Sequence, residues 1–263
     1  MVADMKASFI RALIGTNLRA ATALRGSFLI EVAFMTLNNF TFFVFWWVLM
    51  RRVPSLRGWS LGDIQLLFGM VAVSFGLTVT FAGGVRSLGR VIDEGELDTL
   101  LTQPKPVLVH ALGMRLQPAG FGDVLSGLIF ISWSGVVSWQ SMPAVIIAIV
   151  ASALVFLACG IVFFSLAFWL GRIESVARQL WELLITFSMY PEPLFGGMVR
   201  LALFTLLPAG FVAYVPARVI HSPSAANVSV LLIAATGYMA VAVWVFDNGL
   251  RRYASGSRFS TFG

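Results

Sequence analysis

Long apolar runs separated by short polar breaks make up nearly the whole chain. Runs over residues 28–50, 61–84, 119–139, 144–170 and 226–246 are continuous enough to read as helices. Each has about the 20 residues that cross the hydrocarbon of a bilayer. A sixth region is less regular. Residues 180–190 are apolar but interrupted by Glu182, and Pro191-Glu192-Pro193 ends the run; 201–207 is short and ends at Pro208, and 209–220 contains Pro216. This predicts a fifth crossing followed by a re-entrant pair of half-helices over 195–220, tolerated where protein or water covers the backbone. One kinked span with a surface loop is the alternative. The pattern as a whole predicts an all-α polytopic membrane protein with six crossings in a single transmembrane domain.

One stretch breaks the pattern. Residues 85–118 lie between the second and third crossings, and Asp93, Glu94, Glu96 and Asp98 place four of the chain's twelve carboxylates within six residues. Gly95 opens a short helical pattern in which Leu97, Leu100 and Leu101 share a face at i, i+3, i+4 spacing, and the acids crowd its start, where a helix dipole favours negative charge. Pro104 and Pro106 stop it, and the apolar piece 107–112 leads back to the membrane. The acids read as a docking surface or as a solvated face.

Composition agrees with a membrane protein. Apolar residues are 59% and charged residues 11% of 263, mean hydropathy is +0.89, and soluble domains carry about a quarter charged residues. The net charge of +6 reads as the positive-inside bias of short loops and not as a nucleic-acid footprint. With both ends inside, thirteen of the eighteen basic residues fall in 1–27, 85–118, 171–178 and 247–263. Arg51, Arg52 and Arg57 violate that bias locally. Residues 1–27 alternate basic and apolar positions, as in an interfacial amphipathic helix or a basic flank of the first crossing. Inside that crossing, Asn38 and Asn39 need polar partners, first of all a neighbouring helix and otherwise a substrate. Most tryptophans fall near predicted helix ends, as in an interfacial belt.

The catalytic inventory is thin. Cys159 is the single cysteine, His110 and His221 are far apart, and no zinc-type spacing is present. There is no Gly-x-x-x-x-Gly-Lys-[Ser/Thr] loop to cradle nucleotide phosphates. An active transporter of this sequence therefore needs an external source of energy.

Three stretches resemble the integral-membrane permeases of type-2 ABC transporters, in their short six-helix bacterial branch. They are Gly95 to Pro104, the set Tyr190-Pro191, Leu207-Pro208 and Tyr214-Val-Pro-Ala217, and Gly249 to Gly256. The resemblance implies a permease that catalyses nothing itself and binds no cofactor. It implies pairing with a second permease, related but different or else a second copy of itself, and with two copies of a separate ATPase that hold ATP and Mg. Carried onto this chain, Asp93, Glu94, Glu96, Leu97, Asp98, Leu100, Leu101 and Pro104 become the ATPase-coupling surface, with the leucines as apolar anchors. Asn38, Asn39, Phe42 and Trp46 become candidates for the substrate path. Tyr190, Pro191, Pro208, Tyr214 and Pro216 become candidates for an extracellular gate. The expected setting is the bacterial inner membrane, with membrane lipids as neighbours, both termini cytoplasmic and no nucleic acid bound. The expected cargo is a hydrophobic or amphipathic compound, exported as in multidrug transport. A lipid-modifying membrane enzyme and an ATP-independent transporter are the competing classes. The first needs clustered His or Asp at one bilayer level, and the second is expected to show internal repeats or more mid-membrane charge.

Overall fold

The computed structural model describes residues 2–53 and 55–253, without the side chains of residues 2–8 and 10. Pro54 and residues 254–263, with the end of the Gly249–Gly256 motif and Arg258, lie outside the described residues. Everything described is helix, turn or loop, apart from one isolated bridge between Leu56 and Trp59.

The chain opens with α1 (Val2–Ala23), α2 (Arg25–Arg52) and α3 (Leu61–Phe81). Ser60 starts α3 through a reciprocal cap: its backbone N–H donates to Asp63 Oδ2 at 2.7 Å and its hydroxyl accepts from the Asp63 N–H at 3.3 Å, which satisfies two otherwise orphaned donors. A 3₁₀ turn, Gly83–Ser87, then leads into three short helices, α4 (Leu88–Asp93), α5 (Leu97–Leu101) and α6 (Val107–Gly113). Next come α7 (Ala119–Trp133), α8 (Met142–Ser165), α9 (Ala167–Leu170) and α10 (Glu174–Ser188). After them α11 (Gly197–Thr205) and, through a π turn at Gly210–Tyr214, α12 (Val215–His221) form a bent pair, and α13 (Ala225–Arg252) closes the chain. Ser224 caps α13 by accepting from the Asn227 N–H at 3.1 Å.

Among the described residues, four helical runs are long and apolar enough to cross a membrane: α2, α3, the run Trp139–Leu170, and α13. The pair Gly197–Thr205 and Gly210–His221, bent by 74°, makes a fifth if it counts as one span. Two of the expected crossings are short helices. The third ends at Trp133, because Gly135 turns the backbone to φ 69°, so α7 has 15 residues. The fifth is α10, also 15 residues. Helices of that length rise about 22 Å, less than the ~30 Å of bilayer hydrocarbon.

The four long runs differ in what surrounds them. In the most apolar window of α3, 83% of residues are buried, against 11% for α2 and 17% for α13. α3 is therefore the centre of the bundle. It runs against α7 through glycines. A Cβ on Gly69 or on Gly127 would stand 2.7 Å from the other's carbonyl oxygen, and Gly76 and Gly120 are related the same way at 2.6 and 2.8 Å. Only residues without a Cβ allow this approach. On its other side α7 meets α2 at Gly122, whose Cβ would stand 2.5 Å from the Val32 carbonyl oxygen. α8 and α12 complete the wall around α3, and Phe156, Phe164, Trp181 and Tyr214 fill the core. Trp181 thus sits inside the protein and not in an interfacial belt, as does Trp46, whereas Trp47, Trp133, Trp139, Trp169 and Trp244 are exposed. Cys159 packs in the same core.

The glycine seam gives a direct expectation. Gly76→Val or Gly127→Val forces α3 and α7 apart. Each is expected to destabilise by about 2 kcal/mol and to lower the melting temperature of the detergent-purified protein. Gly15→Ala, inside α1 at a position with nothing within 4 Å of its Cβ, is expected not to lower the melting temperature, since alanine is the better helix former.

Candidate functional site

Three regions concentrate the polar chemistry, and they occupy different levels of the bundle. The first is a side-opening groove of 790 Å³ between α2 and α10, floored by α3 and α7. α2 presents Met35, Asn38, Asn39, Phe42, Phe45 and Trp46 to it, a spacing that follows one helical face. α10 and its C-terminal turn present Glu182, Ile185, Thr186, Met189 and Tyr190 on the same spacing, and α3 adds Phe68 and Phe75. All four residues expected along a substrate path, Asn38, Asn39, Phe42 and Trp46, therefore line one groove. Tyr190, expected at the gate, lies there too, with its ring 5.5 Å from that of Trp46.

The groove is graded along its length. Its Trp46 end is aromatic. Its other end holds Arg86, Asp123 and Glu182, three ionisable groups that the sequence reading did not assign to the path. Asp123 is 4% exposed. Its Oδ1 accepts from Asn39 Nδ2 at 2.8 Å, and the same amide nitrogen lies 2.8 Å from Ser126 Oγ. Asn39 is thus a helix–helix hydrogen-bonding residue, and its neighbour Asn38 lines the groove. Arg86 is turned toward Gln117, to whose Oε1 it donates at 3.1 Å. The signal that finds these groups is general: an ionisable residue inside or beside an apolar run is a functional candidate, and each of the three interrupts or borders one.

The second region is a charged cleft of 760 Å³ lined by Arg90, Asp93 and Glu94 of the polar stretch and by Arg172, Glu174, Arg178 and Glu182 at the start of α10. Glu182 lines both the cleft and the groove. Arg90 holds Glu94 and Glu96, each at 2.7 Å, and Glu174 holds Arg178 at 2.6 Å. Burial, and then Glu174 and Glu94, push the Asp93 carboxyl above its ordinary value against the pull of Arg172. Burial first and Asp98 second push the Tyr253 hydroxyl up to about 12, which places the end of α13 against the polar stretch.

Here the structure corrects the expected roles. The pattern opening at Gly95 is the single short helix α5, five residues long, and Gly95, at φ 78°, separates it from α4 before it. Leu97 and Leu100 are 0% and 3% exposed and pack in the bundle core. They cannot also be apolar anchors for a partner. Leu101 is 45% exposed, and Pro104 is exposed beside it. Gly83 and Gly84 are packing positions: a Cβ would stand 2.7 Å from the Arg115 oxygen and 2.0 Å from the Ala111 oxygen. α1 rests on this region, with its Phe9 ring 5.4 Å from His110 and Lys105 Nζ 4.6 Å from the Phe9 centroid.

The third region lies at the opposite end, where the expected gate residues fall. Pro191, Pro208, Tyr214 and Pro216 are all buried, and the Tyr214 hydroxyl donates to the Phe187 carbonyl at 2.8 Å. Glu192 gathers Arg200 at 2.6 Å and Arg218 at 3.3 Å, tying α11 to α12 across the bend. Arg57 donates to the Pro193 carbonyl at 2.5 Å, and His221 Nε2 lies 3.0 Å from Asp63 Oδ1. Arg51 stacks on Trp47 at 3.9 Å. Arg51 and Arg57, which stand out against the positive-inside bias, thus have local partners.

An all-helical bundle with several membrane-length apolar helices and a polar insert defines a multi-pass membrane protein. A model of the family described as ABC-2 family transporter protein matches residues 36–257, and the chain belongs to that family. No curated protein and no solved structure matches it.

The charged cleft carries a pH expectation. Because the Asp93 pKa is raised in the folded state, ionisation of Asp93 destabilises the fold at neutral pH. That penalty fades as pH falls through the folded pKa and is gone below the unfolded value of about 3.9. Asp93→Asn should therefore raise the melting temperature slightly at pH 7, by no more than the ~0.5 kcal/mol of an ordinary surface substitution, with the gain vanishing at strongly acid pH. A gain that grows on acidification contradicts this account.

Proposed function

We propose that this chain is the permease subunit of an ATP-driven ABC exporter in a bacterial inner membrane. It forms half of a substrate path and catalyses nothing itself. Two copies of a separate ATPase bind ATP with Mg and supply the energy, and a second permease, related but different, completes the path. In this reading α2, α3, α7, the run through α8, α10 and α13 are the six crossings, both termini are cytoplasmic, and α11 with α12 is the re-entrant extracellular gate. The cargo is a hydrophobic or amphipathic compound that enters the groove between α2 and α10, whose open side faces the second permease.

The observation that carries this reading is the double position of Glu182, on the charged cleft and on the groove. A push on the α4–α5 segment reaches the start of α10 through the cleft, and α10 is one wall of the path. Because Leu97 and Leu100 are held in the core, α5 moves as part of the bundle and transmits the push. The ATPase contact then falls on Leu101, Pro104 and the water-facing parts of Asp93, Glu94, Glu96 and Asp98. Exposed ion pairs such as Arg90 with Glu94 contribute about 1 kcal/mol or less, so they can exchange for a partner's basic groups on docking. The long-armed clamp of Glu192 on Arg200 and Arg218 holds the gate closed until the bundle shifts.

Co-purification with an ATPase subunit, and ATPase activity of that complex in lipid, test the reading. Leu101→Asp is expected to weaken ATPase association about tenfold while leaving the melting temperature of the permease unchanged. Leu97→Asp is expected to destabilise the permease itself by at least the ~2–5 kcal/mol of a core truncation. A purified single chain that transports without ATP would sink the proposal.

A further inference from the structure

Within the groove, one atom is left without a partner. Asp123 is 4% exposed, its Oδ1 is taken by Asn39, and its Oδ2 is buried with no hydrogen-bond partner. A carboxylate oxygen held in an apolar bundle and left unpaired is costly. The nearest cationic group on the groove wall, Arg86, is directed to Gln117 instead. The groove's ionisable lining is thus two carboxylates, Asp123 and Glu182, against one guanidinium. Aromatic side chains line much of the rest of its walls: Phe42, Phe68, Phe75, Trp46 and Tyr190. Phe42 is 61% exposed.

We propose that the groove binds an amphipathic compound bearing a protonated amine, with the ammonium donating to the free Oδ2 of Asp123 and the apolar body lying along the Phe42–Trp46 face. This rests on the permease reading and narrows its cargo. A primary or secondary ammonium supplies what the site lacks, an N–H donor carrying positive charge, and charge-assisted bonds of this kind are the strong ones. Aromatic faces beside the path add cation–π attraction for the same sign of charge. Glu182, exposed at the groove's rim, attracts the cation before it is desolvated. An anionic amphiphile meets the reverse: two carboxylates stand against one guanidinium and repel it.

The test is equilibrium binding to the full chain in phosphatidylcholine nanodiscs at pH 7.5 without ATP. Three fluorescent probes share one dansyl-alkyl body and end in a primary amine, its N-acetyl derivative or a carboxylate. The amine is expected to bind at least about tenfold more tightly than either analogue. Asp123→Asn should remove most of that preference, Asp123→Glu should keep part of it, and Glu182→Gln should slow association of the amine. Asp247→Asn, on exposed α13, is expected to change nothing. If wild-type protein ranks the probes equally or prefers the carboxylate, the proposal is overturned, whatever the variants do. It is also overturned if folded Asp123→Asn keeps the full amine preference, or if its only defect is loss of pairing with a second permease, since a partner's lysine or arginine then fills the site. Failure of the permease reading shows separately, as amine-selective binding without ATP-driven transport. ATP-driven transport indifferent to cargo charge overturns the amine proposal alone.

Discussion

The antiparallel contact between α3 and α7 governs the rest of the bundle. Gly69 faces Gly127 and Gly76 faces Gly120, each so close that a single Cβ would strike a backbone oxygen. In a lipid environment apolar side chains gain little by leaving one apolar phase for another, so close backbone packing supplies the attraction between helices. The seam does this along two full heptads. With α8 and α12 on its other sides, α3 gives the groove only Phe68 and Phe75. Gly62 extends the seam at the next heptad position, 2.5 Å from the Ser134 oxygen by the same measure.

Once α7 is fixed to α3, its other face sets the place of α2. Gly122 lets α2 approach, and the approach brings Asn39 onto Asp123. That bond is a register mark. An amide and a carboxylate inside an apolar bundle are expensive apart and tolerable together, so α2 is pinned at Asn39. Its outward faces stay unpaired, with Ile30, Phe34 and Leu37 exposed. α2 touches the bundle along one edge only, and α10 stands away from it until Trp46 meets Tyr190. The groove is the space left between a helix pinned on one side and a short helix pinned on the other.

Much of this was legible in the residues. Apolar run length located α2, α3, the run through α8, and α13, and the prolines at 191, 208 and 216 marked the bend between α11 and α12. Two amides in the middle of an apolar run pointed to a polar interior, and all four proposed path residues came together. What failed did so for identifiable reasons. The i, i+3, i+4 leucines of the polar stretch have the same spacing whether they face a partner or their own core, and only the fold shows that Leu97 and Leu100 face inward. The end of α7 was overrun because the apolar pattern continues past Ser134 while Gly135, at positive φ, has already ended the helix. The seven-residue glycine spacings at 62, 69, 76 and 113, 120, 127 were visible, but a glycine in a membrane helix reads equally as a hinge until its neighbour is known.

The same packing decides how force can travel. A segment attached only by flexible loops would yield to a push without moving the helices behind it. Here α4 and α5 are held by buried Val91, Ile92, Leu97 and Leu100, α6 is held through the close approach of Ala111 and Leu112 to Gly84, and Tyr253 brings the end of α13 onto the same platform. Packed interiors deform by switching between discrete arrangements and not by yielding smoothly. The charged cleft parts this platform from α10, and its ion pairs keep to one side or the other, Arg90 with Glu94 and Glu96 on the platform and Glu174 with Arg178 on α10, whereas the glycine seam is backbone against backbone. Glu182 stands between the two, lining the cleft on one side and, on the other, the groove floored by α3 and α7.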